Sequence, residues 1–186
     1  MVFVSAALSS AGFLLLAIAG VQHVRRYGEF RRLVAGHGLI PASLIGLGVL
    51  VLVVVELAIG IGGLVANAVA VMDGSVLPRG LMASSAVVFL LFAGYSGELV
   101  RRRSPSGCGC GPLDRAPVSG YVPVRALILA AMATVSAVTA PSSVTPLLPA
   151  DLVVLLLASL SMALLLAVFA EVMQPPERHV PGMGDR

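Results

Sequence analysis

Long apolar stretches without charged side chains recur along the chain, and short segments between them carry most of its charge. A helix needs about 20 apolar residues to cross a hydrocarbon core about 30 Å thick. Five stretches meet or approach that length, and the fourth is the shortest because Pro141 ends any helix near residue 140. The pattern predicts an all-α integral membrane protein, a compact bundle of about five transmembrane helices over residues 2–23, 41–66, 79–100, 124–140 and 151–173. Asp151 is the predicted N-cap of the fifth helix.

The composition points to the same class. Hydrophobic residues make up 58% of the chain and charged residues only 11%, and the mean hydropathy is +1.02. Average soluble domains carry about 25% charged residues, so too little charge is available here to cover a water-exposed surface. A soluble enzyme and a nucleic-acid-binding protein are both disfavoured. The predicted partner is the lipid bilayer, with no nucleic acid.

The basic residues are all arginine, and their distribution predicts an orientation. Of the 12, 11 lie after the first span, between the third span and the start of the fourth, or in the C-terminal tail, and the twelfth is Arg79. Cytoplasmic loops of membrane proteins carry an excess of Lys and Arg. We therefore predict a multi-pass protein of the bacterial inner (cell) membrane, with its N-terminus outside and its C-terminus cytoplasmic. Residues 1–173 are predicted to form the bundle and residues 174–186 a flexible tail.

Two cysteines, Cys108 and Cys110, lie one residue apart in a glycine-rich connection between the third and fourth spans. Extended residues i and i+2 are too far apart for a relaxed disulfide, so the chain must turn, and the neighbouring glycines permit a turn. A disulfide closed in this way is strained and easily reduced, which is typical of catalytic disulfides. Arginines at 101–103 favour the thiolate and faster exchange. The pattern predicts a redox-active dithiol, with inert loop thiols as the alternative.

A zinc site is a further alternative, because two cysteines need two more ligands to hold zinc. The three histidines His23, His37 and His179 lie in different segments and have no metal-ligand spacing. Each histidine is interpreted as a polar residue at a helix end, and no metal site is predicted.

Glu56 interrupts the second apolar stretch far from either end. A carboxylate at that depth costs a few kcal/mol or more unless it is paired, protonated or in contact with a polar cavity. No Lys or Arg lies at the same depth in any predicted span, so we expect a neutral carboxyl group. Its expected hydrogen-bond partners are Ser84, Ser85, Thr134 or Ser136. Glu56 is interpreted as a proton relay or as a polar anchor for a quinone headgroup, with hydrogen bonding between helices as the alternative.

Arg125 begins the fourth span on the side of the cysteine connection. Two interpretations are open: Arg125 pairs with Glu98, or it lies beside the cysteine loop. Glu98 and Arg102, four residues apart on one predicted helix, are expected to form a surface ion pair of small energy.

Four features in order along the chain resemble the MauE (methylamine utilisation) family of small membrane proteins, which are relatives of the DoxX-like proteins. They are Phe30 followed by Pro41, Glu56 with Gly60, the run Cys108-Gly109-Cys110-Gly111, and the run Val124-Arg125-Ala126-Leu127. The resemblance covers roughly residues 5–140 and leaves the fifth span outside. It implies a four-helix core of the MauE/DoxX-like kind with an added C-terminal helix.

The resemblance also implies thiol–disulfide chemistry at the membrane, linked in the family to maturation of the disulfide-rich small subunit of methylamine dehydrogenase. Under this hypothesis the catalytic residues are Cys108, Cys110, Glu56 and Arg125. The cofactor stays open, with a quinone as one candidate. The expected partners are a thioredoxin-like or client protein, and a homo-oligomer or a larger complex.

Two other function classes remain. The chain is a non-enzymatic accessory or assembly subunit of a membrane complex, or it is a small transporter that uses Glu56. The absence of a paired charge within the predicted spans argues against the transporter. The orientation also raises a conflict, because it puts the cysteines at the reducing cytoplasmic face whereas a secreted client needs thiols outside. Three explanations of this conflict are open: the cysteine pair receives electrons inside and passes them through the bundle, the client is cytoplasmic, or the predicted orientation is inverted.

Overall fold

The computed structural model describes residues 2–103, 120–141 and 149–172. Within these ranges the chain is all-helical, which confirms the predicted fold class. The six helices are α1 (Val2–Arg25), α2 (Tyr27–Gly36), α3 (Ala42–Asp73), α4 (Arg79–Arg101), α5 (Tyr121–Thr139) and α6 (Pro149–Val172). The segments 104–119, with Cys108 and Cys110, and 173–186, with the predicted tail, lie outside the described residues.

Four of the described helices, α1, α3, α4 and α5, are long and apolar enough to cross a membrane, and α6 is a shorter apolar helix over Ala150–Leu166. This arrangement agrees with the predicted four-helix core and added C-terminal helix. Helix α5 ends at Thr139, as the prolines that follow it predict. Helix α6 begins at Pro149, so the prediction that Asp151 is its N-cap is wrong. Proline is well tolerated at a first helical position, because its missing N–H would have no partner there.

Helix α3 is longer than the sequence predicts, since it continues past residue 66 to Asp73. The polar Asn67 does not end the helix, because its amide is buried and donates to Ala6 O and to the hydroxyls of Ser9 and Ser10. The helix ends at Gly74, whose φ of 76° is in the left-handed region that favours glycine. Its 32 residues extend over roughly 48 Å at 1.5 Å per residue.

Helix α2 was not predicted, because its ten residues are too few for a span and include several charges. The chain leaves helical geometry at Arg26, with φ −118° and ψ 30°, and then begins α2. The buried face of α2 carries Phe30 and Val34, which pack on Ile45 and Val49 of α3. The helix therefore covers the first turns of α3.

Glycines let α1 and α3 pack closely in antiparallel directions. A Cβ atom at Gly60 would lie 2.5 Å from the backbone N of Ala17, and one at Gly63 would lie 2.5 Å from the ring of Phe13. On α1, a Cβ atom at Gly20 would lie 2.9 Å from the side chain of Leu57. No side chain fits at Gly60 or Gly63 without moving the helices apart, so the glycines set the register between α1 and α3.

Helices α4 and α5 form the second antiparallel pair. The Arg79 guanidinium at the start of α4 donates to Ala140 O at the end of α5. Helix α6 packs on α1, where the Ser159 hydroxyl, which donates to Leu155 O of its own helix at 2.8 Å, also lies 3.4 Å from Ala7 O. Ala11 of α1 and Ala163 of α6 belong to one buried cluster, so α6 is parallel to α1. The two pairs meet along α1 and α5 and form the four-helix core.

Candidate functional site

Glu56 is completely buried within the bundle and is paired with a histidine. Nδ1 of His23, on α1, lies 2.7 Å from Oε2 of Glu56, on α3, and only 4% of His23 is exposed. Gly20 lies one turn before His23, and a Cβ atom there would lie 2.9 Å from Leu57 and 3.2 Å from Cβ of Glu56, so the close approach of the helices brings the imidazole beside the carboxyl group. The sequence places two ionisable groups on neighbouring helices, and the glycine register makes them meet.

The hydrogen-bond partners that the sequence analysis predicts for Glu56 are not the ones found in the structure. Ser84 is exposed, and the hydroxyls of Ser85 and Thr134 donate to carbonyls of their own helices, Met82 O and Ala130 O. Ser136 lies near the opposite end of the bundle, where its carbonyl accepts a hydrogen bond from Ser5. These expectations failed because the relative depth of residues on different helices depends on the helix register, which the sequence alone did not give.

Within the spans Glu56 has an ionisable partner that the sequence analysis did not assign to it, because His23 lies at its carboxyl group. His23 was interpreted only as a polar residue at a helix end or as a zinc ligand. One signal could have found it: His23 and Glu56 are isolated ionisable residues of two consecutive apolar stretches. Consecutive spans of a bundle are usually neighbours.

Helix α2 holds the histidine from another side. The rings of His23 and Phe30 stack with a centroid distance of 4.0 Å and an interplanar angle of 10°. Phe30 is itself buried against α3. The imidazole is therefore held by a carboxyl group and an aromatic face, so its orientation is fixed before any ligand binds.

A cavity lies beside the pair, between α1, α3, α4 and α5. It offers about 70 Å³ to water-sized molecules. Among the described residues, the polar ones that line it are His23, Glu56, Ser96 and Arg125, and the others are apolar. One water needs roughly 10–15 Å³ measured in this way, so several waters fit. The site combines a carboxyl group, an imidazole and a guanidinium around one small space.

One carboxyl oxygen of Glu56, a residue that lines this cavity, has no protein partner in the described part of the chain. This atom is Oε1. A buried polar atom without a partner costs about 1–3 kcal/mol, and more if it is charged.

Arg125 lies in the second turn of α5 and is partly buried at the cavity. Glu98 pairs with Arg101 and Arg102, each at 2.7 Å, which confirms the expected surface ion pair with Arg102. Among the described residues no ion pair involves Arg125, so the interpretation that it holds Glu98 is wrong. Its position relative to the cysteine loop lies outside the described residues.

A second polar cluster surrounds Asn67 near the other end of the core. The Asn67 amide donates to Ser10 Oγ at 2.7 Å and to Ser9 Oγ at 3.2 Å. Ser5 Oγ in turn donates to Ser136 O at 3.0 Å. The contacts of Gly60 with Ala17 and of Gly63 with Phe13 separate this cluster from Glu56.

An apolar groove of about 300 Å³ lies on the other side of Phe92, between α2, α3 and α4. Phe92 lines both the groove and the cavity, and Phe30 lines the groove while stacking on His23. Tyr95 lies at the groove too, with its hydroxyl 2.5 Å from Nδ1 of His37. In the part of the chain that the structure describes, no three His, Cys, Asp or Glu side chains form a metal-binding group.

The comparisons with known proteins identify the family. The family model described as methylamine utilisation protein MauE matches residues 1–140, from α1 to just past the end of α5. No curated protein and no solved structure matches the chain. Three residues that carried the sequence resemblance lie at or next to the buried pair: Phe30 stacks on His23, Glu56 is its partner, and Arg125 lines the same cavity. With three quarters of its length matched, this chain belongs to the MauE family of membrane proteins.

Proposed function

We propose that this MauE-family membrane protein carries out thiol–disulfide exchange through Cys108 and Cys110 and so supports the maturation of partner proteins. One observation carries the proposal. The cavity that holds the buried Glu56 also reaches Arg125, five residues after the segment 104–119 rejoins the helices at Gly120. The cysteine pair is thus tethered to the end of the core where a cation and a proton-carrying group share one cavity.

The exchange has a simple balance of atoms and electrons. A client thiolate attacks one sulfur of the Cys108–Cys110 disulfide, and the other sulfur leaves as a thiolate that takes up a proton. The second client thiolate then attacks the mixed disulfide and releases the second cysteine. The client loses two electrons and gains a disulfide, and the cysteine pair becomes a dithiol. Reoxidation passes two electrons to an acceptor, for which a quinone or a thioredoxin-like disulfide is the chemical class.

The described residues have separate roles in this scheme. The Arg125 guanidinium stabilises the thiolate, since positive charge favours the anionic form of a thiol. Glu56, held by His23, takes up or releases the protons that accompany reduction and oxidation. Both roles need a group close to the end of the bundle to which the cysteine segment connects. Arg125 lies near that end, and Glu56 lines the same cavity as Arg125, which supports both roles.

The His23–Glu56 pair also favours a second candidate, a small transporter that moves protons through Glu56. Intramembrane ionisable residues that are paired in this way mark ion pathways in many membrane proteins. The described spans are continuous helices, including the 32 residues of α3, whereas many transporters bind their substrate at broken helices. We therefore place the redox role first. The alternative is a non-enzymatic assembly subunit, which a negative result in the test below would favour.

Differential alkylation tests the proposed function. Purified protein is incubated with a quinone, or with a reduced or oxidised thioredoxin-like protein, and free thiols are then labelled and counted by intact mass. We expect Cys108 and Cys110 to change together between two free thiols and none. A Cys108→Ser, Cys110→Ser variant is the control and should show no change.

Two results would contradict the redox role. One is that neither cysteine changes state with any of these reagents. The other is that the double serine variant supports partner maturation in cells as well as the wild type, which would favour an assembly subunit.

A further inference from the structure

We propose that the cavity beside Glu56 is a water-filled site open to protons from one end of the core only, the end that carries Arg125. Water in the site hydrogen-bonds to Oε1 of Glu56 and connects the His23–Glu56 pair to Arg125. That the cysteines exchange protons through this cavity rests on the proposed function. The hydration of the cavity and the end from which protons enter it do not.

The unpartnered oxygen is the first argument. Oε2 of Glu56 is bonded to His23, while Oε1 has no partner among the described residues, although the side chain is completely buried. A carboxyl oxygen at such a position needs a donor, because leaving it without one costs the full desolvation of the atom. Water supplies a donor where the site is polar and large enough.

The size and lining of the cavity meet that condition. It offers about 70 Å³ to water-sized molecules, and four of its lining residues present polar groups. In the described part of the chain, the charged or titratable groups at the cavity are Glu56 of α3, His23 of α1 and Arg125 of α5, and α4 contributes the Ser96 hydroxyl. From α2, Phe30 covers the imidazole with an apolar ring. A water in this cavity therefore has two to four polar groups as candidate partners.

The end from which protons reach Glu56 follows from the packing of α1 on α3. Beyond Glu56, Gly60 lies against the backbone of Ala17 and Gly63 against the ring of Phe13, so no space remains between the two helices there. Phe13 and Leu16 are almost completely buried at this level. The next buried polar cluster, around Asn67, is 11 residues further along α3, or roughly 16 Å. Protons therefore reach Glu56 through the cavity and not through the Asn67 cluster.

A one-sided site matters for redox chemistry. Each two-electron reduction of the cysteine disulfide takes up two protons when both thiolates are protonated. If those protons pass by way of Glu56, they come from the same side as the cysteine segment. Exchange would then move no proton across the membrane, which distinguishes this arrangement from a transporter.

Cysteine accessibility to silver ions tests the hydration without using the redox activity. In a background with Cys108→Ser and Cys110→Ser, the test variant is Ser96→Cys, at the cavity, and the control is Ser85→Cys. Both serines are buried on α4, and each donates to a carbonyl of its own helix. Ser85 does not line the cavity. Ala19→Cys on α1, which lines the cavity, is a second test variant.

Membrane vesicles of both orientations receive silver nitrate from outside, and the remaining thiols are labelled with a maleimide after denaturation. Reporter variants identify the exposed end of the core: Arg103→Cys marks the end with Arg125, and Ser75→Cys marks the opposite end. We expect Ser96→Cys and Ala19→Cys to lose most of their later labelling only where Arg103→Cys does, and Ser85→Cys to keep its labelling in both preparations.

Three outcomes overturn the inference. The first is a lack of silver reaction at both cavity positions, which would mean a dry cavity. The second is reaction from the Ser75 side, which would mean that the glycine contacts do not close the route. The third is an equal reaction at Ser85→Cys, which would mean that silver enters the bundle without selectivity. None of these outcomes depends on whether the cysteine pair is redox-active.

Discussion

Nδ1 of His23 and Oε2 of Glu56 lie 2.7 Å apart inside the bundle, although 33 residues separate them in the chain. Each residue satisfies a polar atom of the other in a place where bulk water is excluded. Removing one of two buried, hydrogen-bonded ionisable partners is more costly than replacing both, because the remaining group keeps its desolvation without compensation. The pair therefore couples the stability of the core to the residues proposed to carry protons.

Replacement of His23 by Phe should destabilise the protein by up to about 3–5 kcal/mol, because Glu56 then remains buried without its partner. The double variant His23→Phe, Glu56→Leu should recover part of that loss. Thermal unfolding in one detergent measures all members of the cycle. Additive effects of the two single substitutions, with a coupling below about 0.5 kcal/mol, would contradict the pairing.

Substitution of Gly60 by Ala should lower the melting temperature, because the new Cβ atom would lie 2.5 Å from the backbone of Ala17. Overpacking of this kind costs about 1–3 kcal/mol. Gly62→Ala is the matched control two residues away, where nothing lies within 4 Å of the new atom. It should be neutral, or stabilising by up to about 1 kcal/mol, since Ala favours helix over Gly. Equal losses at both positions would mean that α1 and α3 do not meet at Gly60.

The carboxyl group of Glu98 should behave very differently from that of Glu56. Glu98 pairs with Arg101 and Arg102 at the end of α4, where both arginines are exposed. Exposed ion pairs add little stability and are screened by salt. Glu98→Gln should therefore leave the melting temperature at 150 mM NaCl within experimental error. A loss as large as that of a Glu56 variant would show that Glu98 has a structural partner beyond these arginines.

Replacement of Arg125 by Ala should slow the alkylation of the reduced cysteine pair at neutral pH by up to about tenfold, since a nearby positive charge changes the thiolate population on that scale. Arg125→Lys keeps the charge and should stay close to the wild type. The rate is followed by quenching samples over time and measuring their mass. Unchanged rates in both variants would remove Arg125 from the proposed mechanism while leaving its place at the cavity intact.

Asn67 offers a test of the second polar cluster. Asn67→Leu should destabilise the core by about 1–3 kcal/mol, because it removes the donor to Ala6 O and to the hydroxyls of Ser9 and Ser10. Thermal unfolding provides the measurement. The variant should leave cysteine alkylation unchanged, since the glycine contacts separate this cluster from Glu56. A changed alkylation rate would connect two regions that the packing keeps apart.

The spanning helices could be predicted because a helix that crosses a bilayer needs about 20 consecutive apolar residues, and a run of that length is visible directly in the sequence. Glu56 was found for a related reason, since a carboxyl group stands out in an apolar stretch. Its partner was not found, because the meeting of His23 and Glu56 depends on a register that Gly20 and Gly60 set between two helices. Helix α2 escaped prediction because its stability comes from burying Phe30 and Val34 on α3, not from its own length.

Helix α3 has a consequence for the bilayer around it. Leu44 near its start and Met72 near its end are both more than half exposed, so its lipid-facing apolar belt extends over roughly 42 Å, against about 30 Å of hydrocarbon. A helix with such a hydrophobic mismatch leans away from the membrane normal or thickens the lipid next to it. Because α1 is locked to α3 at Gly60 and Gly63, the two helices must lean together. Bilayer thickness therefore acts on the same helix pair that holds the buried ionisable groups.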